Sequence, residues 1–370
     1  VCLKTRETII IKVRSMLFCI TLLIFSVSAY SQSDSIPSTS NPNDSLVLTN
    51  EYIADHKKRF NVKLEVGNDI ATFEIKENDL DLYLKPNLNL RYALVFSYKF
   101  LSIRIGVRPK ISDEDKELKG GSDTFRFRIQ ALFDYWNHVL EYNIDKGFYL
   151  ANTNEIMNSN SDIRIQFPEL SSNILFGSSS YKFNENYSMR AIQSQTEIQT
   201  KSAGSFMPGI GYVFYSLSGT DVIKDIDGEI VYRDYYSEYQ GFNLSLLLGY
   251  YYTFVLKKNW YINAYGVPSF GFDFYQTKNM SPEGTNTTHF NDTFVSLNYG
   301  FGGGYNGDKF FFGIDFKNRF TNEKFSSNRV KISPSKNQFN VFFGYRFKTP
   351  KTVSAPVDYM ENKIPILKDD

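Results

Sequence analysis

The chain is poor in the residues that most site chemistry requires, with two cysteines and three histidines among 370 residues. Both cysteines, Cys2 and Cys19, fall within an N-terminal segment read below as removed on export. That excludes a disulfide, a cysteine metal site and a thiol nucleophile from the remainder. His56, His138 and His289 show no metal-ligand spacing. No metal and no cofactor is therefore expected. Long apolar runs are equally scarce: a mean hydropathy of −0.33 with 22% charged residues excludes a bundle of membrane helices, each of which needs about 20 mostly apolar residues. Charge of one sign is lacking too, since 41 basic and 40 acidic residues leave a net charge of +1. No basic block marks a nucleic-acid partner.

What the chain does contain is aromatic residues, 33 Phe and 26 Tyr. Its one apolar run, MLFCITLLIFSVSAY from Met16 to Tyr30, follows Lys12 and Arg14 and ends in small residues. This is a signal-peptide pattern. Residues 1–31 are read as that signal, with Met16 as the true start and cleavage after Ser31. Cys19 stands at the beginning of the run, where a lipidated cysteine would end it. Residues 32–58, rich in Ser, Asn and Pro, read as a flexible linker. Residues 59–348 read as one β architecture, and 349–370 as a polar periplasmic tail.

From Phe60 onward, strand-length segments alternate apolar and polar residues. A one-residue slip inverts a strand, so agreement across tight turns tests the pattern. Around Asn306-Gly307 the expected pairs are Gly303 with Phe310, Phe301 with Phe312 and Tyr299 with Ile314. A turn at Tyr135-Trp136 would pair Phe133 with His138 and Ala131 with Leu140. Turns at Asn184-Glu185-Asn186, Lys257-Lys258-Asn259 and Lys99-Phe100 would align Phe183 with Tyr187, Phe254 with Ile262 and Phe96 with Ile103. Longer polar connections at about 109–122, 150–171, 218–240, 273–291 and 321–337 lie between these hairpins. Short turns on one rim and long loops on the other, with strands of about ten residues, predict an antiparallel transmembrane β-barrel with short periplasmic turns and long extracellular loops. Twelve strands are countable from Leu88, but the alternation slips near Lys201 to Ser205. Val231–Tyr239 and Asn61–Ile75 would raise the number to fourteen. A soluble barrel would alternate as well, but with its apolar face inward.

The registers direct Arg91, Arg104, Arg108, Arg126, Arg128, Lys317, Arg319 and Arg346 into the lumen, with Asp134, Glu141, Asp145 and Asp315. Excess basic charge there would favour anions in a pore. The alternative is a filled lumen in which the arginines satisfy carboxylates. Tyr135, Trp136, Tyr187, Trp260 and Tyr261 stand beside short turns, where an interfacial aromatic girdle belongs. The expected location is the outer membrane of a Gram-negative bacterium, with membrane lipid and the outer-membrane assembly machinery as partners. A structural or small-pore role leads. The alternatives are a surface enzyme acting on lipid or glycan, and an adhesin or assembly partner using YRDYYSEY (232–239). Any solute or protein partner stays open.

The segments YLKPNLNLRYALVFSYKFLSIRIGV (83–107), DKGFYL (145–150), FPEL (167–170), KSAGSF (201–206) and LLGYYYTFVLKKNWYINAYGVPSFGF (247–272) together resemble the domain-of-unknown-function family 4421 of Bacteroidota. The likeness runs from about Tyr52 to Phe347. It implies an exported outer-membrane-type barrel protein and brings no catalytic residues with it.

Overall fold

A computed structural model describes residues 47–363 except 69–70, 78–79, 89, 108–109, 220–221, 228, 233–235, 258, 324–328 and 335–336. Arg108 and the proposed signal peptide lie outside the described residues. The barrel strands, in chain order, are β1 (Arg59–Gly67), β2 (Arg91–Tyr98), β3 (Leu101–Val107) and β4 (Asp123–Leu132). There follow β5 (Trp136–Leu150), β6 (Gln166–Tyr181), β7 (Ala203–Ser218) and β8 (Tyr236–Lys257). The last four are β9 (Trp260–Ser281), β10 (Gly284–Asn306), β11 (Phe310–Glu323) and β12 (Asn337–Lys348). Each pairs antiparallel with the next, and β12 returns to β1 with Phe347 against Phe60 and Lys348 against Arg59, closing a 12-stranded barrel.

The apolar face is the outward one. On β9, Phe270, Phe272 and Phe274 are each about half exposed (47%, 45% and 45%), while their neighbours Ser269 and Gly271 face inward and are buried. Outward residues on β9 stay predominantly apolar from Trp260 to Phe274 and turn polar at Gln276 and Lys278. The change is in register on the adjacent strands: Phe242 opposes Phe274 on β8, and Phe274 meets Asn291 on β10. Fourteen steps of about 3.4 Å, tilted about 45°, give a band of roughly 34 Å, close to the ~30 Å hydrocarbon core of a bilayer. Water would not tolerate such a continuous aromatic belt. The barrel is of the outer-membrane type.

Strand number corrects one expectation. Fourteen is wrong: Asn61–Ile75 is two elements, β1 and a separate strand Ala71–Glu77, and Val231–Tyr239 divides between a short strand Ile230–Tyr232 and the start of β8. The hairpins at Lys99-Phe100 and Lys257-Asn259 pair as predicted, with Phe96 opposite Ile103 and Phe254 opposite Ile262. Two others shift: Ala131 opposes His138, and Asn306 opposes Phe311. Their registers differ from the predicted ones by two and four residues. Even shifts leave every side chain on its predicted face. The connection predicted at 273–291 is instead regular, because β9 and β10 continue as a ladder to Ser281 opposite Gly284.

The hairpin at Asn184-Glu185-Asn186 does not form. Residues 182–202 leave the wall between β6 and β7 and carry a short helix, α1 (Met189–Gln193), and a strand, Glu197–Gln199. That strand pairs with Ile53–Asp55, which pairs in turn with Val47–Asn50. The expected flexible linker 32–58 is thus ordered over its last part, because its polar backbone finds strand partners. The expected polar tail also contains a helix, α2 (Lys351–Lys363), with Pro356 inside it.

At the opposite end, strands Ala71–Glu77 and Leu80–Lys85 form a hairpin that pairs on one side with Arg329–Pro334 and on the other with the top of β5, Leu84 against Leu150. Phe73, Ile75 and Leu84 share a buried core with Phe148, Phe167, Leu170, Ile174 and Leu217. The hairpin springs from between β1 and β2, yet its core reaches Leu217 on β7, six strands round the ring. To do so it crosses the mouth of the barrel as a lid. The connection between β3 and β4 carries a helix, Asp113–Lys119, capped by Ser112, whose hydroxyl accepts from the Asp115 N–H.

Candidate functional site: a plugged lumen

The segment 182–202 has no two-residue alternation, so nothing holds it in the wall, and its polar backbone must find partners elsewhere. It finds them across the end of the barrel where the short turns lie. Ser188 caps α1 by accepting from the Ala191 N–H at 2.9 Å. This orients Arg190, of which almost nothing is exposed, toward the barrel wall. Its guanidinium donates to the Leu132 carbonyl at 2.7 Å, to Asp134 Oδ1 at 2.9 Å and to Glu197 Oε1 at 2.9 Å. The other Glu197 oxygen accepts from the Ser188 hydroxyl at 2.5 Å. Lys57, from the N-terminal segment, stands 3.8 Å from both Asp134 and Glu197.

Further anchors ring the plug. From β1, Asn61 Nδ2 donates to the carbonyls of Ser194 and Gln195 at 3.0 and 2.8 Å, and Lys63 Nζ donates to Gln193 at 3.0 Å. On β10, Asn306 Nδ2 donates to the carbonyls of Ala191 and Glu197 at 3.0 and 2.9 Å. Arg346 on β12 donates to the Gln195 carbonyl at 2.6 Å and lies 4.9 Å over the Phe311 ring. On the β4 side, the Gln130 amide donates to the Gln193 side chain. The charges are tuned by this setting. Burial alone would raise the Glu197 carboxyl, but Arg190 and Lys57 outweigh it and hold it below the ordinary range. Asp134 is held down in the same way, against its own burial, by Arg190, Lys57 and Lys182. Burial lowers Lys182 to about 8, despite Glu197 and Asp134.

Between plug and lid lies a chamber of about 600 Å³. Met189, Ile192 and Gln193 of the plug form its floor, and Ile174, Val213 and Tyr215 reach it from beneath the lid core. Arg91, Arg104, Arg126, Arg128, Lys317 and Arg319 all line it, as do Glu141 and Asp315. Ion pairing links several of them: Arg126 to Asp145 at 2.8 Å, Arg128 to Glu141 at 2.5 Å, and Arg104 to Glu65 at 2.6 Å. Glu65 also takes Lys63 at 3.1 Å.

Two expected lumen residues have another place. Asp134 sits on the turn before β5 and Arg346 near the end of β12, and both hold the plug. Two girdle expectations also fail. Tyr187 is buried because its segment folds into the barrel, and Tyr261 is buried because alternation sends Trp260 outward and its neighbour inward. Trp260 is 46% exposed and packs on Tyr305 and Phe312. At the same end, Tyr135, Tyr181, Phe183 and Phe206 form a continuous ring chain, joined at Tyr181 by Trp136. Sequence reasoning missed Arg190, Glu197, Asn306, Asn61, Lys63 and Glu65. Lys63 and Glu65 were within reach, since Asn61–Ile75 already suggested a strand whose odd positions face inward. The loss of phase near Lys201 was the one sign of the plug.

The fold and site define a class: an outer-membrane-type β-barrel, 12-stranded, plugged at the end of its short turns and lidded at the other. Within that class, the chain belongs to the family described as domain of unknown function DUF4421, whose model matches residues 42–347. No curated protein matches it in sequence. Among solved structures it is similar to the outer membrane protease OmpT from Escherichia coli, at 9% identity and a TM-score of 0.38, covering 82% of this chain and 99% of that one. It is also similar to the beta domain of the Bordetella autotransporter BrkA, at 10% identity, TM-score 0.34 and coverage of 78% and 100%. LpxR from Salmonella typhimurium is similar at 10% identity, TM-score 0.28 and the same coverage.

Proposed function

We propose that the protein is exported by a cleaved signal peptide to the outer membrane of a Gram-negative bacterium, where it stands as a barrel closed at rest, with its plug toward the periplasm. Membrane lipid and the assembly machinery are its partners in reaching that state. Its role is structural, and it becomes a small pore with a charged lumen only when the plug withdraws. The observation that supports this reading is the ring of anchors on residues 182–202, drawn from β1, β4, β10, β12 and the turn before β5. An idle loop would not be tied on so many sides.

An enzymatic role has less to support it. The pair His138 and Ser179, 2.9 Å apart, faces the lipid side beneath Trp136 and Phe133, away from any chamber. As for YRDYYSEY (232–239), Tyr232 ends a short strand, Tyr236 to Tyr239 begin β8, and 233–235 lie outside the described residues. In planar bilayers the purified barrel should show no sustained conductance, and replacing residues 186–200 with a short turn in a variant that also lacks the lid hairpin 71–85 should produce steps selective for anions. Stable conductance by the intact protein would contradict the closed state. Silence of the deletion variant with an intact barrel would leave the structural role and remove the pore.

A further inference from the structure

We propose that the chamber between plug and lid binds an acidic sugar, a polyhydroxylated ring carrying one negative charge. The proposal rests on the lumen being a closed chamber and adds what the chamber is built to hold. Ten Asn and Gln side chains line it, among them Gln130, Asn143, Asn243, Asn263 and Asn340. An amide presents donors and an acceptor side by side, which is the arrangement that a run of ring hydroxyls satisfies. Two of these side chains point directly to a missing donor. Asn143 Oδ1 and Asn263 Oδ1 belong to residues only 9% and 7% exposed and have no hydrogen-bond partner among the described residues. A buried acceptor left so costs free energy that a ligand hydroxyl would recover.

The aromatic lining suits the same ligand. Tyr251 and Tyr265 stack at 5.3 Å with an interplanar angle of 22°, and Tyr187 and Tyr215 line the same cavity. Flat rings beside amides accommodate the C–H faces and the hydroxyl edges of a sugar together. The charge comes from β1 and β3, where Lys63 and Arg104 share one carboxylate, Glu65. Over the whole lining seven basic side chains face five carboxylates, Glu65, Glu141, Asp273, Asp292 and Asp315, and guanidinium is the group best shaped to take a carboxylate. A chamber of about 600 Å³ lies in the range of small-molecule sites. A chamber of that size excludes a long polymer. The many polar groups exclude an apolar ligand.

The test uses the full-length barrel refolded in detergent, with D-glucuronate or D-galacturonate added before refolding so that the lid does not limit entry. At least one sugar acid should bind saturably and raise the unfolding midpoint. Glucose should bind at least tenfold more weakly, and acetate should not bind. Asn263→Ala, first shown to be folded by its heat-modifiable gel mobility, should weaken binding three- to tenfold, the loss of one hydrogen bond. Asn143→Ala provides a second variant should the first misfold. Failure of both sugar acids to bind would overturn the proposal. So would binding of acetate equal to that of the sugar acids, which marks a wet lumen that merely gathers anions, and so would glucose binding equally well. The closed-lumen reading fails separately, by conductance.

Discussion

Arg190→Met is the most informative single change, because Arg190 joins the plug to the barrel wall and also neutralises Glu197. The variant removes the donors to Leu132, Asp134 and Glu197 in one step. Asp134 is half exposed and can turn to water, but the Glu197 side chain is 7% exposed and keeps Ser188 and the more distant Lys57 and Lys182. Removing one partner of a buried pair costs about 3–5 kcal/mol. If that cost falls on plug docking, the population of released plug rises on the order of a hundredfold or more. Hydrogen exchange read by mass spectrometry checks this independently of the lid: amides of 188–199 should lose that much protection while those of β8–β10 keep theirs. Arg190→Met combined with Glu197→Met should recover most of it, since removing both partners of a buried pair is nearly neutral. Protection of 188–199 within twofold of wild type in the single variant would refute the reasoning.

Other outcomes follow from the same contacts. Glu197 and Asp134 titrate below their ordinary range, so their contribution to docking is complete above about pH 4.5 and is lost as pH falls through the depressed folded values. Plug protection should therefore fall in acid before the barrel unfolds, and simultaneous loss of both would count against this. Lys182 acts in the opposite sense: lowered to about 8 from 10.5, it penalises docking below pH 8 and ceases to do so as pH rises toward 10.5. Alkaline conditions should tighten the plug, and Lys182→Met should abolish that dependence. Gly344→Ala places a methyl 2.2 Å from the buried Phe311 ring. The overpacking should cost about 1–3 kcal/mol, seen as a lower midpoint in heat-modifiability gels, whereas an unchanged midpoint would show that the ring has room to move.

The wall of the barrel was legible because a strand's two faces differ at every second residue, and even shifts of register do not disturb that pattern. Ala131 and Phe312 keep their faces although their partners differ from those predicted. Tyr261 was legible by the same rule, but its nearness to Trp260 suggested the girdle instead. The plug was not legible. Its anchors link Asn61 to Ser194 and Arg346 to Gln195, separations of 133 and 151 residues, and hydrogen bonds to backbone carbonyls leave no mark in residue spacing. The lid was hidden for a related reason, since Ala71–Glu77 and Leu80–Lys85 alternate like any hairpin and only the distant Leu150 and Leu217 reveal where they lie. Fourteen strands were admitted because Asn61–Ile75 and Val231–Tyr239 look like wall.

The central claim is that one face of each long strand meets lipid and the other the lumen. It is tested most directly by a single-cysteine scan of residues 242–254 on β8, in protein whose two native cysteines, Cys2 and Cys19, have been removed. With a fluorophore at each site and spin-labelled lipid as quencher, the account predicts strong quenching at even positions such as Leu244, Leu246, Leu248 and Tyr250, and weak quenching at odd positions such as Ser245 and Tyr251. Quenching without a two-residue period, or strongest at the odd positions, would contradict it.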